Sequence, residues 1–200
     1  MKAVVRGTVC AIALVAALAG CGNDAGGTPT PGSAGAKGKT SGPLSVEQIR
    51  SALPTDTSLG NNLAGDEAVA TGGEEARTYC TETTAATCDG LVAAGMKELT
   101  RRGPDETKVE FSLFSFDSPK SATAAMKSLS AKRRTDIEPT PQPVKVEAGA
   151  DETDAFGNNR VTATTMRVGS VLVYIWAVET NLDQVNVAAK HQVDRLKSAA

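Results

Sequence analysis

The 200-residue chain has one histidine, His191, one tryptophan, Trp176, and only 4 % aromatic residues. A single imidazole cannot supply a convincing Ser-His-Asp or Cys-His set. No G-x-S-x-G, HExxH or GxxxxGK[ST] string occurs, so serine-hydrolase, zincin and P-loop chemistry lack their residues. His191 lies off the apolar stripe of its predicted helix and is expected to face water. Excess positive charge is also missing: 21 Lys and Arg stand against 23 Asp and Glu, a net charge of −2. Nucleic-acid binding draws most of its affinity from a cationic face, so it is not expected. The apolar run from Thr8 to Ala19 is too short to span a bilayer stably.

That run follows Lys2 and Arg6 and closes on Leu18-Ala19-Gly20-Cys21. A basic start, a short apolar stretch and small residues before the break form an export signal. With Cys at its end, the pattern resembles the lipobox of bacterial lipoprotein precursors. The resemblance implies cleavage between Gly20 and Cys21, lipid on the Cys21 sulfur, and a membrane-anchored chain on the extracytoplasmic face. Two acyl chains would suffice where one gives only marginal binding. Cys10 would then be discarded and Cys21 modified, leaving Cys80 and Cys88 as a pair in an oxidising compartment. A disulfide closing their nine-residue loop stabilises by about 2.6 kcal/mol in the chain-entropy model. Cys-x7-Cys does not match CxxC spacing, and two thiolates without a nearby His are too few for structural zinc. No metal and no cofactor are expected.

Residues 22 to 43 contain no Val, Ile, Leu or aromatic residue. Such a segment cannot offset chain entropy by burial, and reads as a disordered tether with a reach of about 25 Å. The boundaries are therefore a signal peptide 1–20, a lipidated Cys and tether 21–43, and one α+β domain 44–200. In that domain Ser45-Val46-Glu47-Gln48 forms a capping box for a helix over 46–53, ended by Pro54. Residues 55–78 read as loop with a short strand near 67–70. The segment 89–102 fits a helix ended by Gly103-Pro104, or a strand pairing with its successor, with the helix preferred. Residues 108–116 alternate as a strand. Ser118 and Pro119 start a helix over 119–133. A Pro-punctuated connection follows, with a strand-like Val144-Lys145-Val146. Strands over 160–168 and 171–178 flank Gly169-Ser170, which suits a type II′ turn. The second, VLVYIWAV, is apolar on both sides and should be central. An amphipathic helix over 182–197 carries Val185, Ala189, Gln192 and Leu196. An antiparallel sheet with helices mainly on one face follows.

Four acids, Glu147, Asp151, Glu152 and Asp154, lack the spacing of a calcium loop and read as a solvated acidic segment. Carboxylate pairs for glycoside hydrolysis are available there but unspecific. Arg101-Arg102 and Lys132-Arg133-Arg134 fall at predicted helix ends and should complement the dipole in water, with a patch for anionic head groups as the alternative. Phe111, Phe114, Phe116, Tyr174 and Trp176 are expected in the core, unless one sheet face opens into an apolar cleft.

The strand ending at Phe116, Ser121-Ala122 in the next helix, the late hairpin and the final helix together resemble small extracytoplasmic domains of actinobacterial lipoproteins, those related to receptor-kinase sensor domains. The resemblance covers about 79–198 and departs in lacking their second disulfide; no binding residue transfers. The anchor and tether, the disulfide-locked core and the lack of a catalytic constellation point to a non-catalytic sensor or accessory domain that takes an envelope protein or an apolar small molecule as partner, with a lipid-carrying cavity as a variant. A carboxylate-based envelope hydrolase is the alternative.

Overall fold

The computed structural model describes residues 42–56, 63–101 and 106–199. Gly20, Cys21, Arg102 and nearly all of the predicted tether lie outside the described residues. Among the described residues no helix is long and apolar enough to cross a membrane.

The backbone folds onto one seven-stranded sheet, antiparallel throughout, in the order β1-β2-β3-β7-β6-β5-β4. Its strands are β1 (Val69–Gly72), β2 (Leu91–Arg101), β3 (Thr107–Phe116), β4 (Gln142–Pro143), β5 (Glu152–Gly157), β6 (Val161–Val168) and β7 (Val171–Val178). The class is α+β. The central place of β7 follows from its doubly apolar sequence. The Gly169 backbone is left-handed, φ +58°, at the first turn position between β6 and β7, where glycine carries no steric penalty.

Among the described residues four helices, expected mainly on one face, cover both. Helices α1 (Val46–Ala52) and α4 (Leu182–Ala199) lie against the face bearing Val109, Phe111, Leu113, Val173 and Ile175. Helices α2 (Gly73–Thr84) and α3 (Pro119–Asp136) lie against the opposite face, with Phe114, Phe116, Leu172 and Tyr174. Because β3 and β7 present large apolar side chains on both sides, a single helical layer would leave half of them in water.

The predicted ends of α1 and α3 are built as expected. Ser45 Oγ accepts the Gln48 amide and Gln48 Oε1 accepts the Ser45 amide. Ser118 caps α3, with Pro119 in its first turn. On α4 the stripe Val185, Ala189, Gln192 and Leu196 is buried.

Three segments differ from expectation. Residues 91–101 are strand, not helix, and pair with β3 from Leu91 to Arg101. Gly95 explains the choice, because a Cβ there would stand 2.7 Å from Ile49 Cγ2 and 2.8 Å from the Val69 carbonyl. The glycine lets α1 approach the sheet instead of weakening a helix. Residues 73–84 form α2, within and beyond a stretch read as loop. Its buried face is Ala76, Cys80, Thr83 and Thr84, with helical spacing but little apolar area. Finally, Val144–Val146 is not a ladder strand, although the Val144 amide donates to the Ala155 carbonyl at 3.0 Å. The strand after the prolines is the acid-rich β5 instead.

Candidate functional site

Directly opposed residues in an antiparallel sheet point to the same face, so the registers give cross-strand rows on the side that α2 and α3 cover. One row is Val69, Met96, Ser112, Tyr174, Thr165 and Asp154. The next is Glu98, Glu110, Trp176, Ala163 and Phe156. Helix α3 covers the β6 end of both rows. The Ser130 and Thr165 hydroxyls are 2.7 Å apart, Arg134 pairs with Asp154 at 2.5 Å, and the Arg134 guanidinium lies 4.0 Å from the Phe156 ring centroid. From α2, Tyr79 stacks on Phe114 with centroids 5.3 Å apart and places its hydroxyl 2.8 Å from Ser112 Oγ.

Towards the Lys108 end the helical cover stops. Met96, Glu98, Lys108, Glu110 and Trp176 are partly exposed, and Val69 is 58 % exposed. This partly exposed stretch of sheet, bordered by Tyr79, whose hydroxyl reaches Ser112, and by Arg133, which lies over Tyr174 and Trp176, is the recess of the candidate site. Alongside, an open concavity of about 1000 Å³ runs over β2 and is lined in part by Asp66, Glu67, Val69, Met96, Glu98 and Thr100.

The electrostatics of this recess are unbalanced. Glu98 and Glu110 face each other on adjacent strands, an arrangement that destabilises a sheet. Lys108 Nζ sits 2.5 Å from Glu98. Glu110 accepts only the Ser112 hydroxyl, at 3.3 Å, and has no cationic partner among the described residues. Arg133 is held by Asp136 at 3.1 Å, and its Nε is buried without an acceptor. Tyr174 is 1 % exposed, and its hydroxyl has no hydrogen-bond partner among the described residues. Burial pushes both phenols, Tyr79 and Tyr174, upward; Arg133 opposes this at Tyr174, and Glu110 and Asp136 reinforce it. Both therefore stay protonated at neutral pH, as hydrogen-bonding groups rather than proton-transfer groups.

The other residues singled out in the sequence lie elsewhere. Cys80 and Cys88 are joined in a buried disulfide that ties the end of α2 to the turn before β2. The four acids of 147–154 do not converge. Glu147 pairs with Lys145, Asp151 and Glu152 with Arg167, and Asp154 with Arg134. Among the described residues no group of His, Cys, Asp and Glu could hold a metal ion. His191 is on α4, across the sheet from the recess, with its Nδ1 buried and unpartnered. The basic run at the end of α3 does not simply face water: Lys132 donates to the Glu82 and Thr83 carbonyls at the end of α2, and Arg133 and Arg134 lie on aromatic rings. Arg101 ends a strand rather than a helix and donates to Thr107 Oγ1.

Of the five aromatics, Phe111 belongs to the α1/α4 core, while Phe114, Phe116 and Tyr174 are buried beneath α2 and α3. Trp176 alone among them is partly exposed. Tyr79 and Glu110 escaped the sequence reading, and Arg133 was singled out only as solvent-facing charge at a helix end. The signal for Glu110 was present, as the charged residue on the strand face that also carries Phe114 and Phe116.

No protein-family model matches the chain, and no curated protein matches its sequence. Its fold is similar to the crystal structure of the extracellular domain of PknH from Mycobacterium tuberculosis, with a TM-score of 0.55 and 13 % sequence identity. The similarity covers 78 % of this chain and 98 % of that one.

Proposed function

We propose that this chain is a non-catalytic binding domain, anchored by lipid on Cys21 at the extracytoplasmic face of a cell membrane, that takes a small ligand or a side chain of an envelope partner in the recess beside Trp176. The observation that carries the reading is the uncovered end of the sheet, where the partly exposed Trp176, a carboxylate without a cation and a buried hydroxyl without a partner share neighbouring rows of one face. Unmet polar groups beside exposed apolar surface are what a binding site leaves behind when empty. The fold shared with an extracellular kinase domain supports an extracytoplasmic reading, as does the lipobox. The acids of 147–154, each held by a base, offer no free carboxylate pair for hydrolysis.

Binding is tested by amide chemical-shift mapping of the secreted Cys21→Ser protein against a fragment mixture. Shifts should cluster at Met96, Glu110, Trp176 and Tyr79. A mixture that perturbs only the α1/α4 face, or nothing, overturns the recess as the binding site. The anchor is tested separately by fractionation: wild-type protein should sediment with membranes, and Cys21→Ser should remain unprocessed or be released. Equal membrane association together with equal processing of the two would remove the lipid from the account.

A further inference from the structure

We infer that the recess is selective for an alkylammonium group, with the ammonium on Glu110 and its apolar stem along Met96 and Val69. This rests on the reading of the recess as a binding site and adds the charge of its occupant.

Glu98 and Glu110 stand directly opposite on β2 and β3, with Cβ atoms about 5 Å apart in such a pair. One added cation would relieve the pair, yet the described residues supply Lys108 to Glu98 alone. Neighbouring bases are already engaged. Arg133 is bound to Asp136 and lies over Tyr174 and Trp176. Lys97 is buried on the opposite side of β2, with its ammonium on Asp56 and on the Gly65 and Asp66 carbonyls. The adjoining concavity has Asp66, Glu67 and Glu98 on its rim beside Lys97 and Arg101, the latter donating to the Thr107 hydroxyl. Glu110 is therefore a carboxylate without an ion pair among the described residues, in register with a partly exposed indole and diagonal to the partly exposed Met96.

A second observation is independent of the acids. The Tyr174 hydroxyl is fully buried, unpartnered, and stands among Glu110, Asp136, Tyr79 and Arg133. A phenol accepts as well as donates, so an N–H held on Glu110 would gain an acceptor there if the Arg133 cover over Tyr174 shifted. Burying a hydroxyl without a partner is unfavourable for the fold itself. An apolar or anionic ligand would leave Glu110 unpaired and freshly desolvated, which disfavours it. Arg133 offers an anion little, since displacing Asp136 would expose that carboxylate to the same penalty.

Trp176 is the single tryptophan of the chain and pairs in register with Glu110, so its fluorescence reports on the site. The secreted Cys21→Ser protein is titrated with n-hexylammonium, n-hexanoate and n-hexanol, three probes of matched stem and different charge. A lysine-bearing tripeptide is run beside them, to tell a free amine from a side chain presented by a peptide. The expected result is a saturable change with hexylammonium or the peptide, none with hexanoate, and a loss of at least about tenfold in affinity in Glu110→Gln. Glu110→Gln relieves the like-charge pair and should melt no lower than wild type, which separates lost binding from lost folding. Equal binding of hexanoate or hexanol, or an unchanged affinity in Glu110→Gln, overturns cation selectivity while leaving the recess as a binding site. No saturable response to any amine also overturns it, and the fragment mapping then decides the fate of the recess independently.

Discussion

The guanidinium carbon of Arg133 lies 5.1 Å from the ring centroid of Tyr174 and 5.6 Å from that of Trp176. One side chain from the last turn of α3 thus roofs two aromatic residues of β7 and closes one wall of the recess. Its aliphatic stem contributes packing as well as charge. Replacing it tests the wall directly. Arg133→Ala should destabilise by about 1–2 kcal/mol, which for a domain of this size lowers Tm by roughly 2–8 °C. The Trp176 emission should shift to the red as water reaches the indole. An unchanged spectrum would mean that Arg133 does not cover the ring in solution.

The disulfide acts at the other end of the same layer. Cys80 and Cys88 close a short loop that includes the left-handed residue Ala85, φ +56°, at the end of α2. Thr84 supports that end by donating to the Cys80 carbonyl at 2.8 Å. Replacing both cysteines by Ala should lower stability by about 2.6 kcal/mol, by loop entropy alone. Denaturant midpoints measured on oxidised, reduced and doubly substituted protein check this. Thiol titration of the folded mature protein should find neither cysteine reactive.

Gly95→Ala is expected to be among the most damaging changes for its size. The added methyl meets Ile49 Cγ2 at 2.7 Å and the Val69 carbonyl at 2.8 Å, and the carbonyl belongs to a paired strand that cannot move freely. Overpacking of this kind costs about 1–3 kcal/mol. A melting temperature equal to that of wild type would show that α1 does not rest on β2 as described.

Gly95 also shows how much of the fold was legible in the sequence. Strands β3, β6 and β7 and helices α1, α3 and α4 follow from alternation, helical spacing and caps, because their apolar residues carry the pattern. Segments whose identity depends on a neighbour did not declare themselves. Glycine in β2 reflects the approach of Ile49 from α1. Helix α2 is held by a disulfide, a small-residue face and Lys132 from α3. Strand β5 keeps its acids in place with Arg167 and Arg134, bases from β6 and α3. The candidate site was half visible: an uncovered sheet face was the alternative to full packing of the aromatics, and Trp176 is partly exposed, but the bordering Tyr79 and Arg133 read as loop and as solvent-facing charge.

His191 gives the domain an acid sensitivity of definite sign. Burial lowers its pKa, the neighbouring Arg195 lowers it further, and Asp194 opposes them. The unfolded chain, with an ordinary value near about 6.5, therefore binds a proton that the folded chain holds more weakly. Stability should be constant above that value and decline as pH falls through the interval down to the depressed native value. The carboxylates with lowered values, Glu47, Asp56, Glu147 and Asp194, lose their contribution only at lower pH, near and below their ordinary range. Comparing wild type with His191→Gln at pH 7.5 and 5 isolates the imidazole. The gap in urea midpoint between the two pH values should narrow in the variant, and a gap that stays the same would assign the effect elsewhere.

Two hydroxyls on neighbouring strands of the same face should respond oppositely to removal. Ser112 and Tyr174 are paired in register, yet Ser112 Oγ bonds both Tyr79 and Glu110, while the Tyr174 hydroxyl bonds nothing among the described residues. Ser112→Ala takes from the largely buried Tyr79 hydroxyl the nearer of its partners, leaving Thr83, and should cost about 1 kcal/mol. Tyr174→Phe removes a desolvated group that gains no compensating bond, and keeps the ring beneath Arg133. It should leave stability unchanged or raise it by up to about 1 kcal/mol. If the hydroxyl is held for a ligand, the same Tyr174→Phe protein should bind hexylammonium more weakly than wild type despite folding at least as well. A destabilisation beyond about 1 kcal/mol would instead mean that the hydroxyl already has a partner in the folded chain, and its claim on a ligand would lapse.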